Sequence, residues 1–293
     1  MPTPGENVAV TESFITSATA GRDHGVSARS VVGLALSKVW EGILPKFSEK
    51  TVIITGGAAG IGLAAAKLFA AQGANVLITG RRQDRLDDIA RESPAIVGLV
   101  ADAGDTDDAY RTIDFAIARW GRLDVIVNNA GAGVLAPLAD VSIEAVINTF
   151  RVNVIGPTLM AKAALPHLAR SHGSIINVSS TYGSKPAAGL SHYAASKAAV
   201  EHLTRCWALE LASSGIRVNA IASGPVETAF LKVRMGLSED AIKEVKAQET
   251  ATIPLRRRGV PDDVAAWIIK LTDPGSDWVT GQVLAVDGGL AVT

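Results

Sequence analysis

"TVIITGGAAGIGLAAAKLFAAQG", residues 51–73, decides the fold class. Residues 51–55 are a short Val/Ile run of strand type, and "LAAAKLFAAQG" is an Ala/Leu-rich run that favours helix. Between them stand Gly56, Gly60 and Gly62. A glycine-rich turn from a strand into a helix lets the backbone and the helix N-terminus approach a pyrophosphate closely. The helix dipole and free N–H groups there stabilise negative charge. The spacing is T-G-x-x-x-G-x-G and differs from G-x-G-x-x-G. Such a turn gains meaning at the first strand–helix junction of an alternating chain.

The rest of the chain supplies the alternation. "NVLIT" (75–79), "AIVGLV" (95–100), "LDVIV" (123–127), "SIINVS" (174–179), "IRVNAI" (216–221) and "QVLAV" (282–286) are further strand-like runs, separated by longer Ala/Leu-rich segments. Strands apolar on both faces, alternating with helices, predict an α/β fold: a doubly wound, mostly parallel seven-stranded sheet with helices on both faces. Residues 47–293 are expected to form one domain. Its insertion at about 224–280, including "FLKVRMGLSEDAIKEVKAQET", is the expected substrate lid. Residues 1–46 differ in kind. Residues 1–30 are polar, Gly/Ser/Thr-rich and aperiodic, which suits a disordered stretch. Val32, Leu36, Val39, Trp40 and Ile43 then recur at helical spacing behind Ser30, predicting a short amphipathic helix.

Composition narrows the function classes. The chain has 293 residues, 48% hydrophobic and 19% charged, which suffices for a full core. A net charge of -1 gives no footprint for nucleic acid or an acidic membrane surface. No apolar run reaches the ~18 residues that span a bilayer. Early Glu6 and Glu12 and the short "VVGLAL" argue against a secretory signal. One cysteine, Cys206, excludes an intrachain disulfide and suits a reducing compartment, so a cytoplasmic location is expected. Cys206 reads as a small core or interface residue. The histidines, His167 and His172 among them, show no metal-ligand spacing, and no metal is expected.

"SHYAASKAAV" (191–200) places Tyr193 and Lys197 one helical turn apart among small residues. Alone, the pair also fits an ordinary solvated helix. With "TGGAAGIG" (55–62), "NNAG" (128–131), Asn153 in "FRVNVIG", "SIINVSS" ending at Ser180, "YAASK" (193–197), "VNAIASGPVET" (218–228) and "VTGQVLAVDGG" (279–289), the chain resembles the compact, single-domain branch of the short-chain dehydrogenase/reductase family. The resemblance runs from about Lys50 to Gly289.

That resemblance implies a Rossmann sheet, an NAD(P)-dependent oxidoreductase and a small carbonyl or alcohol substrate. It makes Tyr193 the acid/base and gives Ser180 the substrate oxygen to orient. Asn153 would hold a water in the proton relay. Lys197 would bond the nicotinamide ribose hydroxyls, and its ammonium is expected to lower the tyrosine's pKa from ~10. Gly56, Gly60, Ile61 and Gly62 fall in the cofactor site, as do Asn129, Ala130 and Gly131 of "NNAG". Asp102 matches the adenine-contacting acid, and Val226 and Thr228 match positions that hold the carboxamide.

Cofactor choice is read at the end of the second strand. Where an acid would bond the ribose 2′-OH of NAD, this chain has Gly80, followed by Arg81 and Arg82. A guanidinium binds a 2′-phosphate that an acid would repel, so NADP (NADPH) is expected. One departure from the family pattern is Ser223 in "ASGPVET", where Pro-Gly is common. The leading reading is NADPH-dependent reduction of a ketone or aldehyde. The alternatives are an NAD-dependent alcohol, sugar or steroid dehydrogenase, and a silent dinucleotide-binding sensor, which would have no need of Ser180, Tyr193 and Lys197 together. The helical runs 141–171 and 191–214 are too apolar for one buried face each. The resemblance implies that they form a four-helix interface, and that the C-terminal region completes a homotetramer; a homodimer is the alternative.

Overall fold

The computed structural model describes residues 46–293, and the expectations for the stretch from Ser30 to Ile43 lie outside them. Seven strands form one sheet: β1 (Thr51–Ile54), β2 (Asn75–Gly80), β3 (Ile96–Val100), β4 (Val125–Asn128), β5 (Ser174–Ser180), β6 (Arg217–Ser223) and β7 (Val283–Val286). The order is β3-β2-β1-β4-β5-β6-β7, and every pairing is parallel. All seven strand-like runs are strands, to within two residues. Order reverses between β1 and β4, and in open parallel sheets ligands bind at the carboxyl end of that crevice.

The alternation of side chains divides the core. Val52, Ile54, Val76, Ile78, Val125 and Val127 point into one layer with α1 (Gly60–Ala71) and α9 (Pro261–Thr272). Ile53, Leu77 and Ile126, one residue out of phase, point into the other layer with α3 (Thr106–Trp120) and α5 (Gly156–Ser171). The remaining helices are α2 (Gln83–Glu92), α4 (Ile143–Phe150), α6 (Ser191–Leu211), α7 (Phe230–Val233) and α8 (Glu239–Thr252). Of the span 224–280, α9 is core: Val264, Ala265 and Ile268 are fully buried. Only α7, α8 and their connections stand over the cleft. Cys206 is exposed, which corrects its reading as a core residue. No described helix is long and apolar enough to cross a membrane.

The amino ends of the central strands meet at Asp124, whose carboxylate is nearly enclosed. It accepts from Thr51 N at 2.9 Å, Lys50 Nζ at 3.1 Å, and Arg122 Nε and Nη2 at 2.8 and 2.7 Å. Burial works to raise this carboxyl, but the bonds from Arg122, Thr51 and Lys50 outweigh it and hold it below its ordinary range. A carboxylate depressed in the native state contributes stability above its unfolded pKa of ~3.9 and loses it as pH falls through the native value. Asp124→Asn should therefore destabilise the protein at pH 7 by about 1.5–3 kcal/mol, the scale of charged hydrogen bonds. Thermal melts of variant and wild type should differ most at neutral pH and converge toward pH ~2.

Candidate active site

The cleft is built on the junction of β1 and β4. Thr55 Oγ1 accepts from the backbone N–H groups of Asn129 and Ala130 at 3.1 and 3.0 Å. The Asn129 amide in turn donates to the carbonyls of Thr55 and Gly56 at 2.9 and 3.1 Å. Gly56 has φ +63, and a Cβ there would lie 2.9 Å from Ala130 Cα. Only glycine fits this approach. A Cβ on Gly62 would lie 2.4 Å from Asn129 Nδ2, so Gly62 makes room for the clamp and does not line the cleft. Helix α1 begins with no side-chain cap and no acid in its first turn. Its free N–H groups suit a phosphate.

The main cavity is about 580 Å³. Gly56, Gly60, Ile61, Arg81, Asn129, Ala130, Gly131, Ser180, Tyr193, Lys197, Val226 and Thr228 line it. Asp102 lines an adjoining cavity of about 200 Å³, shared with Arg81 and Gly131. Its carboxylate accepts from Arg151 at 3.0 and 3.2 Å and from Gly104 N at 2.8 Å, and Arg151 chiefly holds it below the ordinary range.

Asn153 is buried away from the cavity wall. The run 141–171, expected as continuous helix, is interrupted by a π-turn at Arg151–Ile155 that contains it. Asn153 Oδ1 accepts from Ala132 N at 2.8 Å, while Nδ2 donates to Ala132 O at 2.8 Å and Ser196 Oγ at 2.9 Å. Just beyond the turn, a Cβ on Gly156 would meet Ala103 O at 2.3 Å, so the chain passes against the 101–103 loop. Such π-turns occur often at functional sites.

Tyr193 and Lys197 extend from the first two turns of α6 beneath the end of β5. Lys197 Nζ donates to Val178 O at 2.8 Å and lies 5.8 Å from the Tyr193 ring centroid. Burial pushes the Tyr193 phenol up to about 12, with the Ser180 hydroxyl opposing the shift. Burial likewise pulls the Lys197 ammonium down to about 8, against the neighbouring Glu201. The expected lowering of the tyrosine's pKa is therefore not found. Enclosure disfavours the charged form of each. Glu201 is itself a buried carboxyl raised by burial, with Ser179 Oγ donating to it at 2.9 Å.

Tyr182 lines the cavity, as does Phe230, whose ring centroid is 6.1 Å from that of Tyr193. His192 and Lys185 do not line it, and Lys185 donates to Thr293 at the C-terminus. Ser223 ends β6 without disturbing it; the close approach belongs to Gly224, where a Cβ would lie 2.6 Å from Asp287 Cα. Sequence reasoning missed Arg258, a buried guanidinium bonded to Val226 O at 2.8 Å and paired with Glu227 and Glu249. No local motif marks it. It becomes a site residue because α8 and the post-β6 loop converge there.

A model for a family described as enoyl-(acyl carrier protein) reductase matches residues 56–291. The chain is 38% identical over 257 residues to a 3-oxoacyl-[acyl-carrier-protein] reductase of Thermotoga maritima, covering 84% of this chain and 100% of the relative. It is 39% identical over 249 residues to a cis-4-hydroxycyclohexanecarboxylate dehydrogenase of Sinomonas cyclohexanicum, covering 83% and 97%. Among solved structures, a short-chain dehydrogenase/reductase of unknown function from Caenorhabditis elegans, with cofactor, aligns with TM-score 0.80 at 36% identity, covering 85% and 97% of the two chains. A 3-ketoacyl-(acyl-carrier-protein) reductase from Brucella melitensis, complexed with NADH, gives 0.77 at 32%, covering 83% and 99%.

The raised tyrosine can be checked directly, because the chain has only three tyrosines. At pH 10 a phenol with a pKa of about 12 is only about 1% ionised. Tyrosinate absorbance of wild type minus Tyr193→Phe should thus show no phenolate from Tyr193 between pH 7 and 10. A phenolate step near pH 8 would contradict the burial argument.

Proposed function

This chain belongs to the short-chain dehydrogenase/reductase family, and on that premise we propose that it is an NADPH-dependent carbonyl reductase, reversibly converting a ketone or aldehyde to an alcohol. The observation that carries this reading is the enclosure of Tyr193, Lys197 and Ser180 in the same cleft as an uncapped, glycine-lined helix start. A bound nicotinamide supplies the hydride, and the protein binds, orients and moves the proton. Gly56, Gly60 and Ile61 hold the diphosphate, with Gly62 giving the turn its room. Asp102 faces the adenine; Asn129, Ala130 and Gly131 line the trough; Val226 and Thr228 hold the carboxamide. Lys197 donates to the ribose hydroxyls. Arg81 takes the 2′-phosphate, where Gly80 presents no acid to repel it.

Reduction leaves an alkoxide that must gain a proton. Burial keeps the Tyr193 phenol protonated at neutral pH, so it is ready to donate to the substrate oxygen. The Ser180 hydroxyl donates a second hydrogen bond that fixes the same oxygen. Asn153 would hold a water in the proton relay, its amide ordered by Ala132 and Ser196. Leu135, Leu190, Phe230, Met235 and Leu237 supply an apolar wall, while Tyr182, Gln248, Glu249 and Arg258 add polar groups to the lining. This suits a carbonyl compound with an apolar body, of the kind implied by the names of the ketoacyl reductase and hydroxycyclohexanecarboxylate dehydrogenase relatives. Residues 230–252 serve as the lid, and residues 1–46 are an extension to the catalytic domain. A reducing cytoplasm suits the single cysteine.

Tyr193→Phe should bind NADPH like wild type yet lose about 10²–10⁴-fold in turnover, because only the proton-transferring hydroxyl is removed. Calorimetry with NADPH and a carbonyl panel assayed with both NADPH and NADH test this together. Near-normal rates in the variant would remove Tyr193 from the mechanism, and tighter binding of NADH would reverse the cofactor assignment.

We also infer a homotetramer, or failing that a homodimer. Ile143, Ile147 and Ile155 stay exposed along the α4–α5 run, and Leu209 is 85% exposed on α6. At the β7 end of the sheet, Trp278 is 97% exposed. Large apolar groups presented this way fit subunit interfaces. Light scattering should give a mass of four chains, or two; a monomer would defeat the inference.

A further inference from the structure

Three arginines surround the adjoining cavity at the carboxyl ends of β2 and β3, and they are not equivalent. Arg151 is neutralised by Asp102 through two hydrogen bonds. Arg81, just beyond β2, and Arg234, just beyond α7, line both this cavity and the main one. Neither side chain makes a hydrogen bond or ion pair to any described residue. Arg234 is nonetheless partly desolvated. Burial chiefly lowers its pKa, the charge of Arg81 lowers it further, and Asp102 opposes both. Two unpaired guanidiniums on different elements thus repel one another across a shared cavity. That arrangement becomes favourable when an anion lies between them.

Resting on the reading of this cleft as an NADPH site, the geometry points to Arg234 as a second guanidinium for the cofactor's 2′-phosphate, placed opposite Arg81. Gly80 leaves room beside Arg81, with its nearest neighbour, Ala58 Cβ, 3.4 Å from where a Cβ would stand. The segment that bears Arg234 also reaches the reaction centre. Phe230, four residues earlier, stands against Tyr193, and Met235 Cε lies 3.2 Å from where a Cβ on Gly133 would be. A phosphate gripped by Arg234 therefore fastens residues 230–237, which include Phe230, Met235 and Leu237 of the pocket's apolar wall. Preference for NADPH and ordering of that wall become one event, and NADH, lacking the phosphate, leaves the wall unfastened.

The test uses the full chain, with calorimetric titration of NADPH and NADH into wild type, Arg81→Ala, Arg234→Ala and Arg234→Lys. Amide hydrogen exchange over residues 230–237 is followed with each cofactor. Arg234→Ala should weaken NADPH about tenfold while changing NADH less than twofold, and Arg234→Lys should restore part of the loss. In wild type, NADPH should protect amides 230–237 more than saturating NADH does, and Arg234→Ala should erase the difference. If wild type prefers NADPH but Arg234→Ala leaves it unchanged, or weakens both cofactors equally, the role of Arg234 is overturned while that of Arg81 stands. If wild type prefers NADH, the NADPH reading itself fails, and this inference with it.

Discussion

At the carboxyl ends of β1 and β4 the chain turns toward opposite faces of the sheet, and four hydrogen bonds among Thr55, Gly56, Asn129 and Ala130 hold the crevice between them. The clamp satisfies the inward-facing polar groups of both loops, as buried backbone requires. Because Asn129 takes the carbonyls of Thr55 and Gly56, the glycine turn is held open and the N–H groups of α1 face the cleft. The demand for glycine follows from this contact. Gly56 lies against Ala130, and Gly62 leaves space for the Asn129 amide. Two of the turn's glycines are thus set by the clamp as much as by any ligand.

The same crevice sets the electrostatics further along β5. Tyr193 and Lys197 are enclosed where α6 packs beneath the strand end, and enclosure favours the neutral form of each. A phenol that stays protonated is the useful state for quenching an alkoxide. A lysine near 8 still carries its charge through most of the neutral range, and Val178 O fixes where that charge sits. The π-turn around Asn153 belongs to this arrangement. It lets one amide bond both backbone groups of Ala132 and also Ser196, linking the post-β4 loop to α6.

Above the cleft, Arg258 joins pieces that are remote in sequence. Its guanidinium bonds the carbonyl of Val226 and pairs with Glu227 from the same loop and Glu249 from α8. Three charges held so close, with the arginine almost wholly buried, are tolerable only because they compensate one another. The loop holding Val226 and Thr228 and the helix covering the substrate space are thereby tied together. By contrast α9, later in the same insertion, is held by apolar packing against α1 and the sheet, and it belongs to the core.

Periodicity and composition settle what local physics controls. Seven Val/Ile runs alternating with Ala/Leu-rich segments require a parallel sheet covered on both faces, and the strands begin and end within two residues of those runs. The glycine turn, Gly80 followed by Arg81, and the Tyr193–Lys197 spacing are equally local, because each is a few adjacent residues on one element. Tertiary structure decides whatever depends on distant segments meeting. The direction of the Tyr193 shift depends on how completely α6 and β5 enclose it, which no spacing reports. The π-turn at Asn153 depends on Ala132 lying within reach across the fold. Arg234 faces Arg81 only because the chain after β6 returns over the end of β2. Sequence prescribes the elements through short-range periodicity; desolvation and charge–charge contacts arise between residues on different elements, and only the packed fold sets them.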